Sequence, residues 1–207
     1  MLLRNSIVAK QPCCGAIDQV TRNSHSLMAE TGLPGLHAER PGPLRDCSAP
    51  LLGRTRVMNA PAGGLVLELE WVVDSQRERI FSALTDSAEL ARWWGPTGYT
   101  MTEIDLDLRV GGGYRFTMQP PGGDPFHLAG EFLEIEPPRR VVYTFRYEEP
   151  DPDDRETVVA LSLEEVGDGT HVSLSQGDFA TEARIELHRG GWRDSLEKLC
   201  ELSESSA

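Results

Sequence analysis

The sequence predicts an α+β domain: one curved antiparallel sheet of about seven strands wrapped around a long C-terminal helix, with two short helices after the first strand. Three observations carry this prediction. Apolar and polar residues begin to alternate at Leu65 and go on alternating in short segments, the period of half-buried strands. The turns between those segments are short and rich in Gly and Pro, which suits antiparallel neighbours and not the long crossovers of a parallel sheet. The end of the chain instead sets Ile185, His188, Trp192, Leu196 and Leu199 at steps of three and four, the apolar stripe of a helix.

Taken in order, Leu65, Leu67, Leu69, Trp71 and Val73 alternate with Val66, Glu68, Glu70 and Val72 to make the first strand. Asp74 or Ser75 can cap the next helix, with Glu78 three residues beyond Ser75 as in a capping box, and Ile80, Phe81 and Leu84 give that helix its apolar face. Ser87 is the expected cap of a second short helix carrying Leu90, Trp93 and Trp94, which Gly95-Pro96 ends. Six strands follow, at about 99–108, 113–119, 127–136, 140–148, 156–165 and 170–177. Gly122-Gly123-Asp124-Pro125, Pro137-Pro138, Pro150-Asp151-Pro152-Asp153 and Gly167-Asp168-Gly169 punctuate them. The last helix is expected from Thr181 to about Ser203. Sheet and helices together make one complete two-layer unit over 65–203.

Residues 1–64 have no sustained helix or strand period, and Pro34-Gly35 and Pro41-Gly42-Pro43 interrupt them. Such a segment does not bury enough apolar area to offset its ordering entropy. It reads as a targeting peptide, a disordered arm, or an extension ahead of a true start near Met58; the last reading is preferred. The fold is then expected to do without it.

The 207 residues carry a formal charge of −13, spread unevenly. Residues 1–57 hold seven Lys/Arg and four Asp/Glu, against 13 and 29 in 58–207. So acidic a domain repels phosphate backbones, which excludes nucleic acid as a natural partner. No apolar run is long enough to span a membrane. The four cysteines, Cys13, Cys14, Cys47 and Cys200, lack metal-ligand or disulfide spacing, and a reducing, cytoplasmic setting suits them.

Gly111-Gly112-Gly113 joins two strands and lacks the following helix and Lys-Ser/Thr pair of a phosphate loop. It is expected to be a hairpin turn with a bulge, braced by Asp107 and Arg109. Trp93 and Trp94 occupy adjacent helical positions that point about a hundred degrees apart. One is expected in the core and the other at the mouth of a cavity. His188 lies on the apolar stripe of the last helix, where a lone histidine is more often a satisfied core residue than an acid, base or ligand. His127 and His171 lie on strands, and no spacing supports a metal or other cofactor. The inner face of the sheet is expected to show Tyr114, Phe116 and Met118, then Val141, Tyr143, Phe145 and Tyr147, then Val159, Leu161, Leu163, Val172 and Leu174. These suit either a packed core or an apolar pocket. Glu131 and Arg146 are polar anchors only if strand parity turns them inward.

Trp93-Trp94-Gly95-Pro96, then Asp107-Leu108-Arg109-Val110-Gly111-Gly112-Gly113-Tyr114, then Gly191-Trp192 follow each other in an order that resembles the SRPBCC (START-like) superfamily. Within it they resemble the family of activator of heat-shock-protein-90 ATPase homologues (Aha-type). The resemblance implies a helix-grip fold over about 65–203, often built around an apolar cavity. It implies, in order of preference, a binder of a small apolar molecule in a cavity between the sheet and the C-terminal helix, a cyclase- or dehydratase-like enzyme acting on an aromatic or polyketide-type substrate, or a co-chaperone-like partner of a heat-shock ATPase. A homodimer is possible. The residues expected at a ligand site are Trp93, Trp94, Tyr114, Phe116, Met118, Tyr143, Phe145, Leu161, His188 and Trp192. For the enzyme reading His188, Tyr114 and Tyr143 are the candidates for acid-base work.

Overall fold

The computed structural model describes residues 56–59 and 64–204. Strands β1 (Arg56–Asn59) and β2 (Leu65–Val73) precede helices α1 (Arg77–Thr85) and α2 (Ser87–Trp93). Then come β3 (Thr100–Leu106), β4 (Gly113–Gln119), β5 (Phe126–Glu136), β6 (Arg140–Tyr147), β7 (Thr157–Val166) and β8 (Gly169–Phe179). Helix α3 (Glu182–Glu204) closes the order. The strands form one sheet, β1-β2-β8-β7-β6-β5-β4-β3, and every pairing is antiparallel. This is the predicted helix grip, with one strand more than the sequence suggested.

Parity and register explain the sheet. Leu69, Leu174, Leu161 and Val141 lie side by side across β2, β8, β7 and β6, and none is more than 4 % exposed. Each such leucine contributes roughly 1.5–3 kcal/mol by leaving water. Against this face α3 lays Ile185, Trp192, Leu196 and Leu199, all buried. Glu131 and Arg146 are exposed, and Arg146 faces Glu156 at 3.7 Å. Strand parity therefore turns both outward, and neither can anchor a ligand inside the grip.

Two caps differ from expectation. Helix α1 begins at Arg77 after an extended Gln76 with no side-chain cap, so the Ser75–Glu78 capping box does not form. The Ser75 carbonyl instead accepts the Thr170 hydroxyl at 2.7 Å, tying this turn to β8. Helix α2 is capped by Asp86, whose carboxylate accepts the Glu89 N–H at 3.0 Å, and not by Ser87. An aspartate one residue earlier adds a favourable charge to the same N–H contact.

Strand β1 comes from the stretch read as unstructured. Met58 pairs with Val66 and Asn59 with Leu65, so a chain begun at Met58 would keep half of this strand. The remainder of that stretch, 1–55 and 60–63, lies outside the described residues. Among the described residues no helix is long and apolar enough to cross a membrane.

Candidate functional site

The turn after β3 is structural, as its composition implied. Gly111 has φ +78°, a backbone region that disfavours side chains. A Cβ on Gly112 would lie 2.1 Å from the Asp107 carbonyl. The N–H of Gly111 donates to Phe132 O at 2.8 Å, and Phe132 N–H donates back to Gly112 O at 2.9 Å. Arg109 and Asp107 pair at 2.9 Å. The glycines thus seat the hairpin on β5 and leave no cradle for a phosphate.

A small cavity of about 20 Å³ sits between the α1–α2 pair and the inner face of β3–β7, room for about one water-sized oxygen. Leu84, Leu90, Trp93, Trp94, Leu106, Tyr114, Phe116, Phe132, Val141, Tyr143 and Leu161 line it. All are apolar or aromatic, and no charged side chain borders it. Trp93 is 1 % exposed, and its indole donates to the Ala83 carbonyl at 2.8 Å. Trp94 is half-buried and packs on Phe116, Phe145 and Trp192 with centroids 5.5, 6.4 and 6.1 Å away.

Both tryptophans border the same space, Trp93 from the core and Trp94 from a half-buried position. Trp94 keeps a helical φ of −72° and donates its N–H to Leu90 O, and its ψ of 137° turns the chain out of the helix after it. The bend continues through Gly95 at φ +100°, where a Cβ would lie 2.6 Å from Met118 Cε. Helix α3 fastens this segment. Ser195 Oγ accepts the Gly95 N–H at 2.9 Å, Lys198 Nζ donates to Gly95 O at 2.6 Å, and Asp194 accepts the Thr97 N–H at 3.1 Å.

Six of the ten residues expected at a ligand site therefore meet at the cavity: Trp93, Trp94, Tyr114, Phe116, Tyr143 and Leu161. Met118, Phe145, His188 and Trp192 are buried outside its wall. Met118 lies beneath Gly95, and Phe145 and Trp192 stand behind Trp94. Phe132 was not among the expected residues. Its parity with Leu128 on β5, both buried, is the signal that marks it.

His188 belongs to a separate polar network inside the grip. Gln176, with 0 % exposure, accepts from Trp192 Nε1 at 2.7 Å and lies 3.2 Å from His188 Nδ1. Its amide donates to Thr157 Oγ1 at 2.9 Å, and Thr157 donates to the Phe145 carbonyl at 3.3 Å. The rings of Phe179, Phe145 and Tyr147 surround the imidazole at 4.9, 5.2 and 5.9 Å. Desolvation, aided by the nearby Arg184 charge, pulls the His188 pKa down to about 4. Burial pushes the phenols of Tyr114, Tyr143 and Tyr147 above their usual range. All four groups are thus neutral near pH 7.

On the outer face, ligand atoms of His127, Glu148 and Glu149 come within 4.8 Å of one another. Glu148 is already held by Arg115, which donates twice to one of its oxygens and once to the other. His127 Nδ1 pairs with Glu149 at 2.8 Å. A cation there would have to displace Arg115.

The family model described as Activator of Hsp90 ATPase homolog 1-like protein matches residues 74–204. The chain belongs to this family. No curated protein matches the sequence. Among solved structures, a protein of Chromobacterium violaceum is 27% identical with a TM-score of 0.63, covering 67% of this chain and 96% of its own. The AHSA1 protein of Silicibacter pomeroyi is 28% identical with a TM-score of 0.61, covering 69% and 99%. CalU16 of Micromonospora echinospora is 28% identical with a TM-score of 0.52, covering 71% and 82%. The matched span takes in all eleven residues that line the cavity.

Proposed function

We propose that this domain binds a small, uncharged apolar molecule between the α1–α2 pair and the sheet, and not against α3. One observation carries the reading: a space whose eleven lining residues are all apolar or aromatic, with half-buried Trp94 at its rim. Apolar walls with few polar groups are what ligand sites of this kind present. A volume of about 20 Å³ holds no more than a water-sized group, so a larger ligand requires side chains of the wall to move.

The ionisable groups favour binding over acid-base catalysis. A general acid or base works best with a pKa near the working pH. His188 sits near 4 and behind the cavity wall, and the tyrosines are held neutral.

The test is to fill the space. Leu161→Trp should abolish uptake of an apolar fluorescent naphthalene while the domain still unfolds cooperatively. Equal uptake by the filled variant and the wild type would remove the internal pocket from consideration. Met118→Trp is a poorer choice, since its side chain already fits under Gly95.

A further inference from the structure

Strand β3 ends the sheet, and its far edge pairs with no other strand among the described residues. The Asp107 N–H donates back to Gly113 O at 3.0 Å. Backbone groups alternate in direction along a strand, so the N–H and C=O of Leu106 and Ile104 point away from β4. The side chains alternate as well. Ile104 and Leu106 lie opposite the inward Phe116 and Tyr114, half-buried against the core. Glu103 and Asp105 lie opposite Thr117 and Arg115 on the outer face, and both are exposed. Just beyond, Leu108 is 41 % and Val110 60 % exposed, on a turn that hydrogen bonds to Phe132 hold in place. Leu133, the residue after Phe132, adds a third exposed apolar group at this corner. Apolar groups displayed beside a charged rim mark interaction surfaces.

We infer that the free edge of β3 docks an extended segment of a partner protein in which Lys or Arg alternates with apolar residues. Such a segment adds one strand through the outward N–H and C=O groups of Ile104 and Leu106. Its cations then lie beside Glu103 and Asp105, and its apolar residues extend the row of Ile104 and Leu106 toward Leu108. Charge decides between occupants. Arg115, across from Asp105, is held by Glu148 at 2.8 Å, and Arg109 by Asp107 at 2.9 Å. Glu103 accepts the neutral Thr117 hydroxyl at 3.2 Å. Glu103 and Asp105 therefore keep their charge for a partner. A second copy paired edge to edge would set like charges opposite one another. The carboxylates that oppose self-pairing thus select a basic strand.

The probes are two short labelled peptides, one alternating Lys with Val and one alternating Glu with Val, titrated into the full chain by fluorescence anisotropy. The Lys–Val peptide should bind roughly tenfold more tightly, the worth of a few cross-strand charge pairs. Reversing the edge with Glu103→Lys and Asp105→Lys should invert that preference, and binding of the acidic peptide then shows that the variant is folded. Glu68→Lys with Glu70→Lys, on β2 with a partner strand on each side, should leave the preference unchanged. Bound Lys–Val peptide should also slow amide exchange at Ile104 and Leu106. Binding of neither peptide, or equal affinities for both, would overturn the inference. A β2 reversal as damaging as the β3 reversal would reduce it to bulk charge attraction. Unchanged exchange at Ile104 and Leu106 under saturating peptide would overturn strand addition. A wild-type dimer in sedimentation that the edge reversal disrupts would assign the edge to a second copy instead.

Discussion

Gln176 and Trp192 are joined by a 2.7 Å hydrogen bond across the centre of the grip, from the indole N–H of α3 to the side-chain oxygen of β8. It is one of few polar links in an interior otherwise closed by leucine, valine and aromatic side chains. The same oxygen lies 3.2 Å from His188. One buried amide therefore fixes the rotation of the helix about its axis, a task that apolar contacts alone perform less sharply.

Truncating Trp192 removes both the packing and the link. Trp192→Ala should destabilise the domain by about 3–5 kcal/mol, seen as a large drop in the urea midpoint. Gln176→Leu should cost about 1–3 kcal/mol by stranding the Trp192 N–H. A change below half a kcal/mol in the first variant would mean that α3 is not held there.

His188 makes stability depend on pH in a defined window. Its folded pKa, about 4, lies below the unfolded value of about 6.5, so below that value the unfolded chain takes the proton more readily. Stability from this residue is therefore full above about pH 6.5 and is lost as pH falls toward 4, by up to roughly 3 kcal/mol. His188→Gln should flatten the urea-midpoint profile between those values relative to wild type. Parallel profiles would show that the imidazole is not desolvated.

Helix α3 contains adjacent glycines at mid-length. A Cβ at Gly190 would meet nothing within 4 Å, so Gly190→Ala gains helix propensity without a clash. The expected gain is about 1 kcal/mol, or a rise in melting temperature of about 2–4 °C. A fall would mean that the helix needs to bend at this point.

The N-terminal expectation can now be divided. Removing residues 1–55 is expected to leave thermal stability nearly unchanged, on the strength of their composition. Removing 1–63 takes away the β1–β2 ladder and should lower the melting temperature measurably. Calorimetry on the two truncations separates strand from extension; a loss of several degrees already in the shorter deletion would show that the extension packs.

What the sequence made legible was whatever repeats. A period of two set the faces of β2, β4 and β6–β8, and a period near 3.6 set the buried stripe of α3, because burial acts on every residue of a face. Single-residue geometry was not legible. Asp86 and Ser87 are both good caps, and only the observed backbone decides between them. That both tryptophans border one cavity depends on where their rings lie, which helical spacing alone does not give. Gln176 shares the parity of Val172 and Leu174 but was not read as buried, and its partners on α3 are distant in sequence. The Asp107–Arg109 brace and the glycine turn were legible because sterics at close approach leave few alternatives. Cavity volume depends on side-chain packing in three dimensions, and the same aromatic residues fill a core or line a pocket.

The most direct test is to locate a bound apolar probe. With methyl-labelled leucine and valine, intermolecular nuclear Overhauser effects from the naphthalene probe should reach Leu84, Leu90, Leu106, Val141 and Leu161, the aliphatic walls of the cavity. Effects confined to the exposed Leu108, Val110 and Leu133, or none at all at saturating probe, would contradict an internal site.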